Sequence, residues 1–319
     1  MNEPSEKLKA CCVLADLGPY HVARFTATAQ LGELVVVDAG TNISTAYEAA
    51  SAQSFTAVEV QGSVAHTLDA LAPDVLVVMG WGYASVREAA LWAVQKKVPL
   101  VTMSDSQLEG QPRSLLRDVL KRGLLGCYDA ALCAGTRAQR YMQHFGKSAD
   151  CLFQGMDVVD NDHFASALPA GADDRSAFRQ THGLPPRYIL SVNRFVEQKN
   201  LPGLLLSFAR YLAQGHAGGL HLVIAGDGPL RDELTRLIDQ LGLQEVVLLI
   251  GKVAYADLPM LYACAEAFVI TSNSHAETWG LTVNEAMAAG RPVFVSSSCG
   301  CCEDLVDDDR NGKVFDASD

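Results

Sequence analysis

The sequence predicts an α/β protein of two domains, each a parallel sheet covered by helices on both faces. Three observations predict it. The chain has 319 residues, more than one ordinary core of roughly 150 residues accommodates. Short apolar runs alternate with segments of helical period, the signature of βαβ crossovers. That alternation breaks once, between 157 and 186, at an Asp-, Gly- and Pro-rich stretch ending in Pro185-Pro186, and then resumes.

In the first half, residues 10–15, 34–37, 75–79, 100–103 and 130–134 read as buried strands, being short, apolar and largely β-branched. Residues 20–31, 64–71, 83–96, 112–125 and 136–145 between them read as helices. In the second half, strands are expected at 188–192, 220–225, 246–250, 267–271 and 292–296, with helices starting near Leu201, Pro229, Asp257 and Leu281. The helix at Pro229 is signalled by proline in its first turn and by an apolar stripe of Leu230, Leu234, Leu237, Ile238 and Leu241. Gly242 supplies its stop. The expected division is an N-terminal domain over 1–165, a linker over 166–186 and a C-terminal domain over 187–319. Both are doubly wound, Rossmann-like sheets, so ligands belong at the carboxyl ends of their strands.

Composition narrows the function. Hydrophobic residues make up 49% and charged residues 19%, enough apolar material for two cores. A net charge of −12 argues against a nucleic-acid partner, since a duplex would repel most of the surface. No apolar run reaches the roughly 18 residues of a membrane span, and the polar start of the chain has no signal-peptide core behind it. The nine cysteines are scattered and odd in number, the usage of reduced thiols in a cytoplasmic protein. Cys299, Cys301 and Cys302 lack the second ligand pair that a zinc site needs, and read as part of a small-residue loop.

The loops after the C-terminal strands carry the chemistry. Arg194 and Lys199 follow the strand at 188–192, where two cations suit a diphosphate, one as a fork of donors and one as a point charge. An ordinary solvated pair beside Glu197 is the competing reading. Gly226 and Gly228 follow the next strand and allow a tight turn and close approach of a ligand; a simple turn before a helix also explains them. After 267–271, Gly280 precedes a helix ended by Gly290, so the amides of Gly280, Leu281 and Thr282 would face an anion. Glu277 before that helix and Glu285 within it suit the hydroxyls of a sugar or ribose, which donate to carboxylate oxygens.

Taken in order, these residues resemble the donor domain of retaining GT-B glycosyltransferases of family 4 (glycosyl transferases group 1). The resemblance runs over about 130 residues. It includes Arg194 with Lys199, Gly226-Asp227-Gly228-Pro229, Gly251, the Glu277/Glu285 pair, the stretch 286–293 and the stretch 303–312. It implies two domains facing across a cleft and a nucleotide-diphosphate sugar as donor, with no cofactor and no metal. Arg194 and Lys199 would neutralise the leaving diphosphate and Glu277 would bind donor-sugar hydroxyls. The amides of 280–282 would hold phosphates, Glu285 the ribose, and Lys252 and Val253 would lie beside the base. The family pattern continues past the stretch 303–312 into further helices, so the resemblance implies a domain truncated at Asp319.

The N-terminal half matches less closely. Gly18 and His21 occupy the place of the family's glycine-rich acceptor loop, with one glycine where relatives have several. Asp105 stands in the loop that carries a histidine in many relatives, so these three are the acceptor-side candidates. Arg113, Arg117 and Lys121 recur at i, i+4 and i+8 of a helix with leucines beside them. They form a solvated face or a peripheral contact with the inner face of an anionic membrane. The acceptor is thus a glycan, a lipid-linked group or a small molecule. The competing functions are a nucleotide-sugar epimerase and a non-catalytic nucleotide-sugar-binding protein. A dinucleotide oxidoreductase is disfavoured because no Gly-x-Gly-x-x-Gly follows the first strand of either domain.

Overall fold

The computed structural model describes residues 8–15, 17–40, 55–110, 114–215 and 218–317. The chain divides into two compact units, up to Val159 and from Asp160 onward.

The first unit carries β1 (Lys9–Leu14), α1 (Pro19–Thr28), β2 (Glu33–Asp38), β3 (Thr56–Glu59), α2 (Val64–Leu71) and β4 (Val75–Met79). It continues with α3 (Ala84–Lys96), β5 (Leu100–Ser104), α4 (Leu115–Gly126), β6 (Ala130–Cys133), α5 (Thr136–His144) and β7 (Leu152–Gln154). The strands pair in the order β3-β2-β1-β4-β5-β6-β7, all parallel. Its centre is fully apolar: Cys11, Cys12, Val13 and Leu14 of β1 and Val35, Val36 and Val37 of β2 are buried, as strands covered on both faces require.

The second unit carries α6 (Asn161–Ala165), α7 (Ala172–Thr181), β8 (Tyr188–Val192), α8 (Leu201–Ala213), β9 (His221–Ala225), α9 (Arg231–Gln240) and β10 (Val247–Gly251). After these come α10 (Leu258–Ala263), β11 (Ala267–Ile270), α11 (Leu281–Ala288), β12 (Val293–Ser296), α12 (Cys302–Leu305) and β13 (Gly312–Phe315). The order is β10-β9-β8-β11-β12-β13, again parallel. Leu201, Leu204, Leu205 and Phe208 of α8 and Leu234 and Ile238 of α9 pack on Leu222 and Ile224 of β9. Fully burying one such side chain contributes about 1.5–3 kcal/mol.

The ten strands read from the sequence are all present, with ends shifted by a residue or so. Among the described residues three more occur, β3, β7 and β13, and each lies at a sheet edge. The stretch 166–186 carries α7 and belongs to the second unit. The helix read at 112–125 starts at Leu115, and residues 111–113 lie outside the described ones. The helix signalled by Pro229 starts at Arg231, because Pro229 and Leu230 form the turn that precedes it.

Candidate active site

In the second sheet the strand order reverses between β8 and β11, so the loops after these two strands diverge around a crevice at their carboxyl ends. Lys199 is in the first loop and Glu277 in the second. Their side chains form an ion pair, 14% and 12% exposed. The backbone fixes this approach: Thr271 Oγ1 donates to the Lys199 carbonyl at 2.9 Å and the Asn273 amide to the Gln198 carbonyl at 3.2 Å. Ser272 Oγ donates to the same Glu277 oxygen at 3.0 Å. Glu277 therefore accepts from a cation and a hydroxyl on one oxygen. Arg194, one turn earlier, is exposed and makes no ion pair among the described residues, so its guanidinium is not joined to that pair.

Gly280 caps α11 with φ of 107°, a left-handed conformation that suits glycine. Leu281 and Thr282 form the first turn of the helix, whose N-terminal dipole points out of the same loop that holds Glu277. Trp279 Nε1 donates to Asn284 Oδ1 at 2.9 Å and ties the loop to the helix. Glu285, one turn further, is 1% exposed, and Tyr262 Oη donates to its Oε2 at 2.5 Å.

Gly226 and Gly228 have a packing reason. A Cβ at Gly226 would lie 1.8 Å from the Asn193 carbonyl oxygen, and one at Gly228 2.6 Å from that of Phe195. Their loop is laid against the Arg194 loop, with the Phe195 amide donating to the Asp227 carbonyl at 2.9 Å. The Asp227 carboxyl is held below the usual range by hydrogen bonds from the Arg231 side chain and the Gly228 amide, with Lys252 adding to the effect. Lys252 is exposed and Val253 half-buried, both just past β10.

A support that sequence reasoning missed lies under Glu277. Gly300 donates its amide to the Glu277 carbonyl at 3.0 Å and Cys301 to the Trp279 carbonyl at 3.1 Å. A Cβ at Gly300 would sit 1.7 Å from the Thr278 carbonyl oxygen. Cys299, Cys301 and Cys302 are buried free thiols. Burial, more than the nearby Glu277 and neighbouring thiols, pushes Cys299 and Cys301 far above the ordinary thiol range, so they are packing groups and not nucleophiles. Among the described residues no group of three or more His, Cys, Asp or Glu could hold a metal ion.

In the first unit, Gly18 is the N-cap of α1 and His21 lies in its first turn. Asp105 follows β5. Burial first, then Arg24, lowers the His21 pKa to about 4, which keeps the imidazole neutral. Two neighbours were not legible in the sequence. Arg24 Nη2 lies 3.6 Å from Asp157 Oδ1, with side chains 10% and 13% exposed. The Asp157 carboxyl is pushed up to about 7 by burial and by Asp105, against the pull of Arg24. Residues 133 positions apart give no motif to read.

The basic helix is also different from its sequence reading. Arg113 lies outside the described residues. Arg117 is exposed, whereas the Lys121 ammonium sits 5.3 Å from the Tyr141 ring centroid and 5.4 Å from that of Phe145. The apolar side chains beside the cations are not packed inward: Leu115, Leu116, Val119 and Leu120 are 88%, 71%, 68% and 65% exposed. No described helix is long and apolar enough to cross a membrane.

A model of the family described as glycosyl transferases group 1 matches residues 174–319, the unit that holds the Lys199–Glu277 pair. That match takes in 146 residues, a little under half of the chain. The chain is 37% identical over 142 residues to an uncharacterized glycosyltransferase of Methanocaldococcus jannaschii, covering 44% of this chain and 35% of that protein. It is 32% identical over 127 residues to an alpha-monoglucosyldiacylglycerol synthase of Streptococcus pneumoniae, covering 40% and 28%. These matches thus span about a third of those relatives. The crystal structure of Anabaena HepE in complex with UDP and glucose superposes with a TM-score of 0.75 at 18% identity, over 97% of this chain and 86% of that one. Both units therefore have the GT-B fold.

Proposed function

We propose that the chain transfers a sugar from a nucleoside-diphosphate sugar to an acceptor hydroxyl, with retention of configuration and without a metal ion. The observation that carries this reading is the Lys199–Glu277 pair at the reversal of strand order, beside the N-terminus of α11. As the acceptor oxygen bonds to the anomeric carbon, the bond from that carbon to the diphosphate oxygen breaks. The acceptor proton passes to the departing phosphate oxygen on the same face. Charge develops on the diphosphate, where Lys199, Arg194 and the amides of Gly280, Leu281 and Thr282 would stabilise it. Glu277 would accept from the sugar hydroxyls and Glu285 from the ribose, with Lys252 and Val253 beside the base. Gly226 and Gly228 keep the neighbouring loop close enough for this.

The acceptor is a glycan, a lipid-linked group or a small molecule. The exposed apolar side chains of α4, with Arg117 and Arg122 on the same helix, favour a peripheral contact with an anionic lipid surface: in an acidic chain this is where cations and apolar groups coincide. The S. pneumoniae relative is itself named for a glucosylated diacylglycerol.

A thermal-shift panel of nucleoside diphosphates and their sugars tests the donor reading. One diphosphate and its sugar should raise Tm together, and an acceptor-dependent release of that diphosphate should follow. A panel with no shift overturns it.

A further inference from the structure

We infer that Arg24, Asp157 and His21 form a subsite for a neutral, polyhydroxylated group such as a sugar or cyclitol. The inference rests on the transferase reading only for its name, the acceptor subsite; the binding itself is argued from the first unit alone.

The starting point is a group of buried polar atoms that the described residues leave unsatisfied. Arg24 is nine-tenths buried, and its Nε and Nη1 have no hydrogen-bond partner. His21, three residues earlier on the same face of α1, has neither Nδ1 nor Nε2 bonded. Buried donors and acceptors are nearly always paired, so a convergent set of orphans points to a ligand. The ion pair with Asp157 does not meet the need. At 3.6 Å it is longer than a hydrogen bond and engages only Nη2.

The position fits a ligand. α1 follows β1, and Asp105 follows β5; Asp157 comes after β7. All three points are at the carboxyl ends of the parallel strands, where such sheets bind small molecules. β1 and β4 flank the place where this sheet's strand order reverses.

The chemistry selects the class. The guanidinium offers two donors, a neutral imidazole offers one donor and one acceptor, and a carboxyl accepts or donates with its protonation state. Hydroxyls, each donor and acceptor at once, satisfy such a mixed set. An anion suits it less well, because it would share a buried space with the Asp157 carboxyl that already lies 3.6 Å from the guanidinium.

The test uses the full chain and titrates glucose, mannose and myo-inositol, with inorganic phosphate as the anionic comparator and UDP, GDP and ADP as donor-side probes. Ligand-observed NMR reports affinity, and the His21 Cε1 resonance reports place. At least one polyol should bind with a millimolar Kd and shift His21. Arg24→Gln and the near-isosteric Asp157→Asn should each weaken it tenfold or more, with nucleoside diphosphate affinity within twofold of wild type. Unchanged polyol affinity in both variants, no polyol binding, or a His21 shift with phosphate alone would each overturn the subsite. Polyol binding as expected with none of the three diphosphates bound would instead overturn the transferase reading and leave the subsite standing.

Discussion

Tyr262 donates a 2.5 Å hydrogen bond to Oε2 of Glu285, and that carboxyl group is 1% exposed. A side chain expected to meet ribose hydroxyls is thus oriented in advance by a tyrosine from α10. Tyr262→Phe removes the donor and leaves the shape. Because a buried acceptor loses a partner, the variant should lose about 1–3 kcal/mol of stability, read by urea unfolding. Its affinity for the nucleoside diphosphate should fall as well. Full affinity would separate Glu285 from the ribose.

Lys199→Ala and Glu277→Ala should each fold and each lose transfer by about 100-fold or more, the scale of removing one preorganised charge from a transition state. The two side chains meet, so their effects should not add; a double-mutant cycle should give a coupling of about 0.5–3 kcal/mol in unfolding free energy. Near-normal turnover in both single variants would sink the assignment.

His21 and Asp157 make opposite contributions to the pH dependence of stability. The folded pKa of His21, about 4, is below its ordinary 6.5. The unfolded chain takes up that proton first, so this contribution is whole above pH 6.5 and is lost as pH falls toward 4. The folded pKa of Asp157, about 7, is above its ordinary 3.8. The unfolded chain releases that proton first, so stability falls as pH rises from 3.8 toward 7. The stability of Asp157→Asn relative to wild type should therefore climb between pH 4 and 7, at up to about 1.4 kcal/mol per unit. His21→Gln should gain on wild type in the other direction, as pH drops from 6.5. Unfolding at pH 4.5, 5.5 and 7 checks both signs; a flat difference for Asp157→Asn would remove the buried-acid account.

Vesicles containing anionic lipid should bind the wild type and release it as salt is raised, since charges near a surface are screened within about 10 Å at 0.1 M salt. Leu116→Glu with Val119→Glu should abolish cosedimentation, and reversing Arg117 and Arg122 should weaken it. Leu116, Val119 and Arg117 are exposed, so the fold should be unaffected by their change, while reversing Arg122 also removes its hydrogen bond to the His144 carbonyl at 3.3 Å. A wild type that stays in the supernatant at low salt would rule out the contact.

The sheets were legible where strands are buried on both faces. β1, with Cys11 to Leu14 buried, reads as a strand because no polar residue interrupts it. β3 is a strand of Thr56, Ala57, Val58 and Glu59 with little burial, and an edge strand needs no apolar run. β7 and β13 share that position and that silence. The donor side was legible because its residues come in fixed spacings on consecutive loops. The supports were not: Tyr262 reaches Glu285 across 23 positions and Arg24 reaches Asp157 across 133, and such meetings are created by the chain path. The helix over α4 was read from its cations, while the exposure of its leucines depends on what packs nearby, which no period encodes.

Gly300 presses its backbone into the Thr278 carbonyl, and Cys301 bonds the next residue along. The loop that carries Glu277 is consequently not a module that can be moved by itself. Exchanging residues 272–280 with a relative to alter sugar choice would separate one half of an interlocked pair, and the graft should succeed only when 296–302 travels with it.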